Sequence, residues 1–302
     1  MDRRKFLTMT AGLSVLSSAA AEAALSLDEV QSGMQVIRGG REVDSGTDFL
    51  KIEKDIVKYY TYKLRKGGIP DRSGALTYYK DNLAQKALQS IYLPLTKAAT
   101  RPDLKWQAFI ADSKSVNAFT CGGGLTVVHS DLIKFCKSEA ELASVLAHEI
   151  GHIEHRHAIR RLMSNEILKQ FGMSSDQAIL DEVYALKAKG KDIRSSVMMK
   201  VSLEIFEKNF GRMWEHQADA FILKAFEETG YDVGEASQFF RTLLKLFGKS
   251  PQWTCMFSSH PDVVERINRV EAIARTMSPI RNPKKDSDAF RYLKKNIGHR
   301  DI

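Results

Sequence analysis

Two histidines four residues apart flank a glutamate in His148-Glu149-Ile150-Gly151-His152. On an α-helix that spacing puts both imidazoles on one face, a turn apart. Two neutral ring nitrogens can then reach one ion at about 2.0–2.1 Å, a donor pair that suits zinc. Glu149, one step round the helix, is placed to take a proton from an attacking water without being a ligand, the task of a general base in hydrolysis. Zinc at such a site lowers the pKa of water towards about 7 and polarises a carbonyl.

A catalytic zinc takes a third protein ligand and keeps a fourth position open. The segment Trp214-Glu215-His216-Gln217-Ala218-Asp219 offers one, with Glu215 and Asp219 four apart on one helical face. Like charges at that spacing repel in isolation. They become favourable when Glu215 binds a dication and Asp219 accepts the second ring N–H of a ligand histidine. A solvated acidic face fits less well, because Phe221, Ile222, Ala225 and Phe226 crowd the same helix with core residues.

The elements that must hold these side chains are partly legible. Ser138 followed by Glu141 forms a capping-box signature, and Leu142, Val145, Leu146, Ile150 and Ile153 recur at helical steps. The metal motif therefore lies on a buried helix, where unpaired histidines and a glutamate would be costly. Gly151 gives up about 1 kcal/mol of helix propensity relative to Ala, which makes sense if another element approaches closely there. The third-ligand helix should run from Arg212 to about Glu228 and close at Gly230. A long helical stretch from 175 to 210 is expected before it.

Upstream, residues 25–102 read as mostly helical, broken at Gly67-Gly68-Ile69-Pro70, with a second helix from Ser73 to about Leu93. The period then changes. Trp106 to Ala111 and Leu125 to Val128 read as strands, separated by Asn117 and the glycines 122 to 124. Downstream, Pro261 opens a helix whose Val264, Ile267, Val270 and Ala274 mark an apolar face. The expected fold class is mainly α with a small β-sheet (α+β), of zincin type with an H-E-x-x-H helix.

These motifs together resemble the HtpX and CAAX-prenyl-endopeptidase family of gluzincin metalloproteases, in its soluble periplasmic branch. The likeness rests on four ordered elements: Asn117-Ala118-Phe119 with its glycine loop, His148 to His152 with Arg156-His157, Glu215 to Asp219, and His260-Pro261 with Arg266. It implies one Zn2+ per chain held by His148, His152 and Glu215, Glu149 as base, and Asp219 supporting a ligand from behind. It also implies a role for His260, either as a ligand in the open position at rest or as a donor to the oxyanion of the tetrahedral intermediate. The strand at Leu125–Val128 is expected to border the cleft and pair with an extended substrate. Protein or peptide substrates follow from the resemblance, with misfolded envelope proteins as the class it suggests. The alternative is a non-proteolytic chaperone or binding module that keeps the metal for structure. Glu149 argues against it, since a structural site has no use for a base beside an open position.

The remaining sequence sets the context. Arg3-Arg4-Lys5, an apolar stretch from Phe6 to Ala21 and the A-x-A site Ala21-Glu22-Ala23 read as an export signal over residues 1–23, and the paired arginines resemble a twin-arginine signal. Periplasmic localisation is expected, with a metallopeptidase domain at 24–280 and a loosely attached basic tail at 281–302. No run of 18 apolar residues follows the signal, so no transmembrane segment is expected in the mature chain. The net charge of +8 is dispersed, without a basic block interleaved with aromatics, and no nucleic-acid partner is expected. Cys121, Cys136 and Cys255 allow at most one internal disulfide.

Overall fold

A computed structural model describes residues 47–71, 74–162, 212–247 and 263–297. The export segment, the helical stretch expected at 175–210, Cys255 and His260 lie outside the described residues. Within them the chain is mainly helical around one small sheet, the expected α+β class.

Helix α1 (Thr47–Lys66) buries Ile56, Tyr59, Tyr60 and Leu64. It ends where Gly68, at φ 73°, donates its N–H to the Lys63 carbonyl. The second helix expected from Ser73 is corrected by the structure. Ile69–Asp71 (β1) and Gly74–Tyr78 (β2) form an antiparallel pair, in which Leu76 is buried while Ala75 and Thr77 are exposed. That alternation has the period of a strand. Helix α2 (Asn82–Leu95) begins only where the Asp81 carboxylate accepts from the N–H groups of Leu83 and Ala84 at 2.8 and 3.0 Å.

The two expected strands are present as β3 (Gln107–Asp112) and β5 (Leu125–His129), and an unexpected one, β4 (Ala118–Gly122), lies between them in sequence. The sheet order is β1-β2-β3-β5-β4. β5 pairs in parallel with β3 and antiparallel with β4. The expectation that Leu125–Val128 pairs with an extended substrate is therefore corrected, because that strand is paired on both sides; among the described strands, β4 is the edge on that side. The β4–β5 turn requires glycine. A Cβ on Gly123 would lie 2.6 Å from the Glu53 carbonyl oxygen, and one on Gly124 would lie 2.7 Å from that of Lys105, both at positive φ.

Side-chain alternation gives the sheet two buried faces. Ala108, Ile110, Ala118 and Val128 join the larger core, with α2 and the later helices. Ala111, Phe119, Cys121, Leu125 and Val127 pack against α1 and against Ala158 and Ile159. Cys121 and Cys136 are buried free thiols, and burial pushes both thiols up in pKa.

After the short helix α3 (Ser130–Phe135) comes α4 (Glu139–Glu154), which carries the metal motif. Ser138 caps it by accepting from the Glu141 N–H, and the Glu141 carboxylate accepts from the Lys137 N–H at 2.7 Å, one residue before the cap. Helix α5 (His157–Leu162) follows at once, and α6 (Arg212–Thr229) closes at Gly230, at φ 79°. The glycine in the metal motif has the expected cause. A Cβ on Gly151 would fall 2.8 Å from the Ala218 Cα and 2.9 Å from the Phe221 Cβ, so α4 and α6 touch through backbone there.

Helices α7 (Gln238–Phe247), α8 (Val263–Ala274) and α9 (Asp288–Asn296) complete the described residues. In α8 the buried face is Val263, Ile267 and Val270, and Val264 is 59% exposed, which corrects its expected place in the core. The tail is not loose up to Ile297. α9 is capped by Ser287 and buries Phe290 and Leu293 in the larger core.

Candidate metal centre

The crossing of α4 and α6 brings His148, His152 and Glu215 together, all fully buried, with one donor atom from each within 4.8 Å of the others. The Nε2 atoms of His148 and His152 are 3.0 Å apart. Glu215 places one oxygen 3.4 Å from the His148 Nε2 and the other 3.5 Å from the His152 Nε2. Ligands at about 2.0–2.1 Å in a tetrahedral set stand about 3.3 Å from one another, so these separations suit one small dication.

Asp219 sits one turn beyond Glu215 on α6, with Oδ1 3.0 Å from the His148 Nδ1. Arg266 of α8 grips the same carboxylate with both Nε, at 2.8 Å, and Nη2, at 2.6 Å, and its Nη1 lies 3.0 Å from Glu215. The guanidinium is 1% exposed and lies over the Phe240 ring, 4.6 Å from its centroid. Its Nη2 is also 3.2 Å from the His148 Nδ1. The ionised Asp219 carboxylate only accepts, so the His148 Nδ1–H donates to it, and the close approach of Nη2 reflects two donors sharing its Oδ1.

The pKa shifts follow from these contacts. Burial pushes Asp219 up, but Arg266 overrides it and holds the carboxyl at about 2. Burial and Arg266 push His148 down, yet Asp219 and Glu215 outweigh both and raise it to about 9 in the protein alone. Burial opposes the charge on Arg266, and the two carboxylates more than offset that.

His152 has a different partner. Its Nδ1 lies 2.8 Å from the Nδ1 of His157, whose Nε2 lies 2.8 Å from the Gln217 Oε1. His157 is fully buried, and burial drives its pKa down to about 3. It is a neutral partner, unlike Asp219.

Whether these residues fit a divalent ion can be judged from the tautomers. With each Nδ1–H given to its partner, both Nε2 lone pairs and a Glu215 oxygen face one point, an arrangement that repels unless a proton or cation lies between them. Charge agrees. Among the described residues, three buried carboxylates, Glu149, Glu215 and Asp219, gather around the Arg266 guanidinium, an acidic setting that suits a dication. Glu149 follows His148 on α4, is 1% exposed and lies outside the three-residue group, as a base rather than a ligand would.

The structure thus joins five residues singled out from sequence, His148, Glu149, His152, Glu215 and Asp219, while His260 lies outside the described residues. Cys121 packs among the residues between the sheet and α1, away from the metal group. Sequence reasoning missed the grip of Arg266 and the partnership of His157 and Gln217. The resemblance carried His157 and Arg266 as motif residues, but not what either side chain holds.

A small sheet beside an H-E-x-x-H helix, with a glutamate from a later helix, is the arrangement of gluzincin metallopeptidases. Sequence comparison agrees: residues 82–274 match the model of Peptidase family M48, and the chain belongs to that family. A Vibrio cholerae protein named provisionally as a beta-barrel assembly-enhancing protease is 27% identical over 236 residues, covering 77% of this chain and 46% of its own length. The beta-barrel assembly-enhancing protease of Escherichia coli is 23% identical over 228 residues, covering 76% and 45%. The mitochondrial metalloendopeptidase OMA1 of Schizosaccharomyces pombe is 26% identical over 175 residues, covering 56% and 47%. The chain spans less than half the length of these relatives. Among the described residues, no helix is long and apolar enough to cross a membrane.

Proposed function

We propose that the chain is a zinc endopeptidase that cleaves internal peptide bonds of protein substrates. The observation that carries this reading is the convergence of His148, His152 and Glu215 on one point, with Glu149 beside them on α4. The bound ion would supply a Lewis acid that polarises the scissile carbonyl and makes water more acidic. Glu149 takes a proton at its carboxylate from the attacking water and returns it to the amide nitrogen as the C–N bond breaks. Asp219 holds His148 with its Nε2 lone pair inward, and Arg266 fixes Asp219. Among the described strands, β4 rather than β5 lies at the edge of the sheet, so an extended substrate would pair there.

Glu149→Gln tests the reading. The amide cannot take the proton but leaves the ligands intact, so peptide hydrolysis should vanish while zinc stays near one per chain. Wild-type turnover by this variant would refute the mechanism. Zinc retention without hydrolysis in the wild type would favour the chaperone or binding-module alternative.

The setting we propose is the periplasm, with misfolded envelope proteins as substrates. The signal-like segment at residues 1–23 and the names of the bacterial relatives support it. If Arg3-Arg4 marks the twin-arginine route, replacing both by Lys should leave a folded precursor in the cytoplasm, seen by fractionation. Normal export of that variant would assign the general secretory route instead.

A further inference from the structure

We propose that His157 is a positioning residue that sets which nitrogen of His152 faces the metal, through a directed chain from the His152 Nδ1–H to the His157 Nδ1, and from the His157 Nε2–H to the Gln217 Oε1. This rests on the metal-site reading above and adds a device to it. Both links are 2.8 Å, and His157 is fully buried.

Direction follows from the last acceptor. A carbonyl oxygen only accepts, so the His157 Nε2 must carry the hydrogen, which leaves its Nδ1 as an acceptor towards His152. His152 then holds its hydrogen on Nδ1 and turns the Nε2 lone pair towards His148 and Glu215. The reverse tautomer would set the His157 Nε2 lone pair against the Gln217 oxygen and put a hydrogen where the ion must bind.

The surroundings hold His157 in this one pose. The Trp214 ring stacks on it at 5.0 Å, within 1° of parallel. Trp214, Glu215 and Gln217 belong to the same stretch of α6, so the helix that offers the third ligand also clamps the partner of the second. On the other side, the chain turns from α4 into α5 through Arg156 at φ 53°, a left-handed conformation that is strained for a residue other than glycine. The strained turn places His157 directly after the end of α4 and aims it back at His152. The two ligand histidines are thus supported unequally, His148 by a carboxylate and His152 by a neutral imidazole and amide. An outer partner of this kind sets ligand orientation and affinity.

The test measures zinc affinity by chelator competition, the visible spectrum of the cobalt-substituted protein, and the ring-nitrogen NMR shifts of His152 in metal-free protein. His157→Ala should lower zinc affinity by about 10–100-fold, alter the cobalt spectrum and mix the His152 tautomers. His157→Gln, which returns an acceptor oxygen, should restore most of the affinity. Should His157→Ala fail to fold, Gln217→Leu carries the test, with the same loss of tautomer preference expected. Wild-type affinity and a single Nδ1–H tautomer in folded His157→Ala or Gln217→Leu would overturn the inference. A wild type that binds no zinc, or whose binding survives His152→Ala, would instead overturn the metal-site reading.

Discussion

At the scale of single residues, Glu215 and Asp219 look alike in sequence and act differently in space. Glu215 turns its oxygens to both Nε2 atoms, whereas Asp219 meets only the outer nitrogen of His148 and is otherwise taken up by Arg266. Glu215→Gln should therefore abolish stoichiometric zinc binding, and Asp219→Asn should weaken it by about 10–100-fold, as loss of an outer partner does. Competition against a chromophoric chelator separates the two, and equal losses would mean that both carboxylates are ligands. Asn is the safer change at Asp219, because Ala would leave the Arg266 guanidinium buried without its main partner, at a cost of about 3–5 kcal/mol. The two-histidine spacing made the ligands legible before the fold was known. Arg266 stood out only as a motif residue and its grip on Asp219 was not legible, since a buried arginine and a surface one are the same letter until the carboxylate partners are located in space.

At the scale of elements, legibility depended on length and on local caps. Helix α4 has Ser138 at its start and apolar residues at helical steps throughout, so its start and its burial could be read. The strand β2 was misread because five residues beside a helix blend into the helical pattern, and their alternation acquires meaning only once β1 pairs with them. β4 was hidden by its glycine end and by the irregular register between Thr120 and Gly122. Where sequence did reach an element contact, through Gly151, the structure gives a measurable consequence. Alanine there would gain about 1 kcal/mol of helix propensity on an open face. Here its Cβ meets the backbone of Ala218 at under 3 Å, and neither helix can yield without moving Glu215, three residues before that contact. Gly151→Ala should lower stability by about 1–3 kcal/mol in denaturant titration and weaken zinc binding in parallel. A more stable variant with unchanged zinc affinity would show that the crossing does not set the site.

At the scale of the whole molecule, the last helix tests how the C-terminal residues are held. Seven basic residues in 281–302 suggested a loose tail, yet Phe290 and Leu293 of α9 are buried in the core that also backs α4. Two buried side chains on an otherwise polar helix give too weak a period to read from sequence. The attachment is polar as well. Glu139, in the first turn of α4, accepts from the Tyr231 hydroxyl and the Ser287 N–H and pairs with Lys284 at 2.9 Å. Burial pushes the Glu139 carboxyl up, but the hydrogen bonds from Ser287, Tyr231 and Lys284 outweigh it and hold the pKa below its usual 4.5. A carboxyl whose folded pKa is depressed adds stability above its unfolded value and loses it as pH falls through the folded one. The anchoring should thus be complete above about pH 4.5 and fail below it, whereas Glu139→Gln should lack this part of the acid dependence. Ending the chain at residue 280 removes Lys284 and Ser287 from Glu139, leaving only Tyr231 of the three, and uncovers the core beneath Phe290 and Leu293, each worth about 1.5–3 kcal/mol when buried. Against a total stability of about 5–15 kcal/mol, the shortened protein should melt many degrees lower or fail to accumulate folded. Phe290→Ala, at about 3–5 kcal/mol, tests the same packing with the chain intact. Thermal melts of the three proteins across pH 3–7 decide the matter, and a truncated protein that melts with the full-length chain would show that α9 adds nothing to the fold.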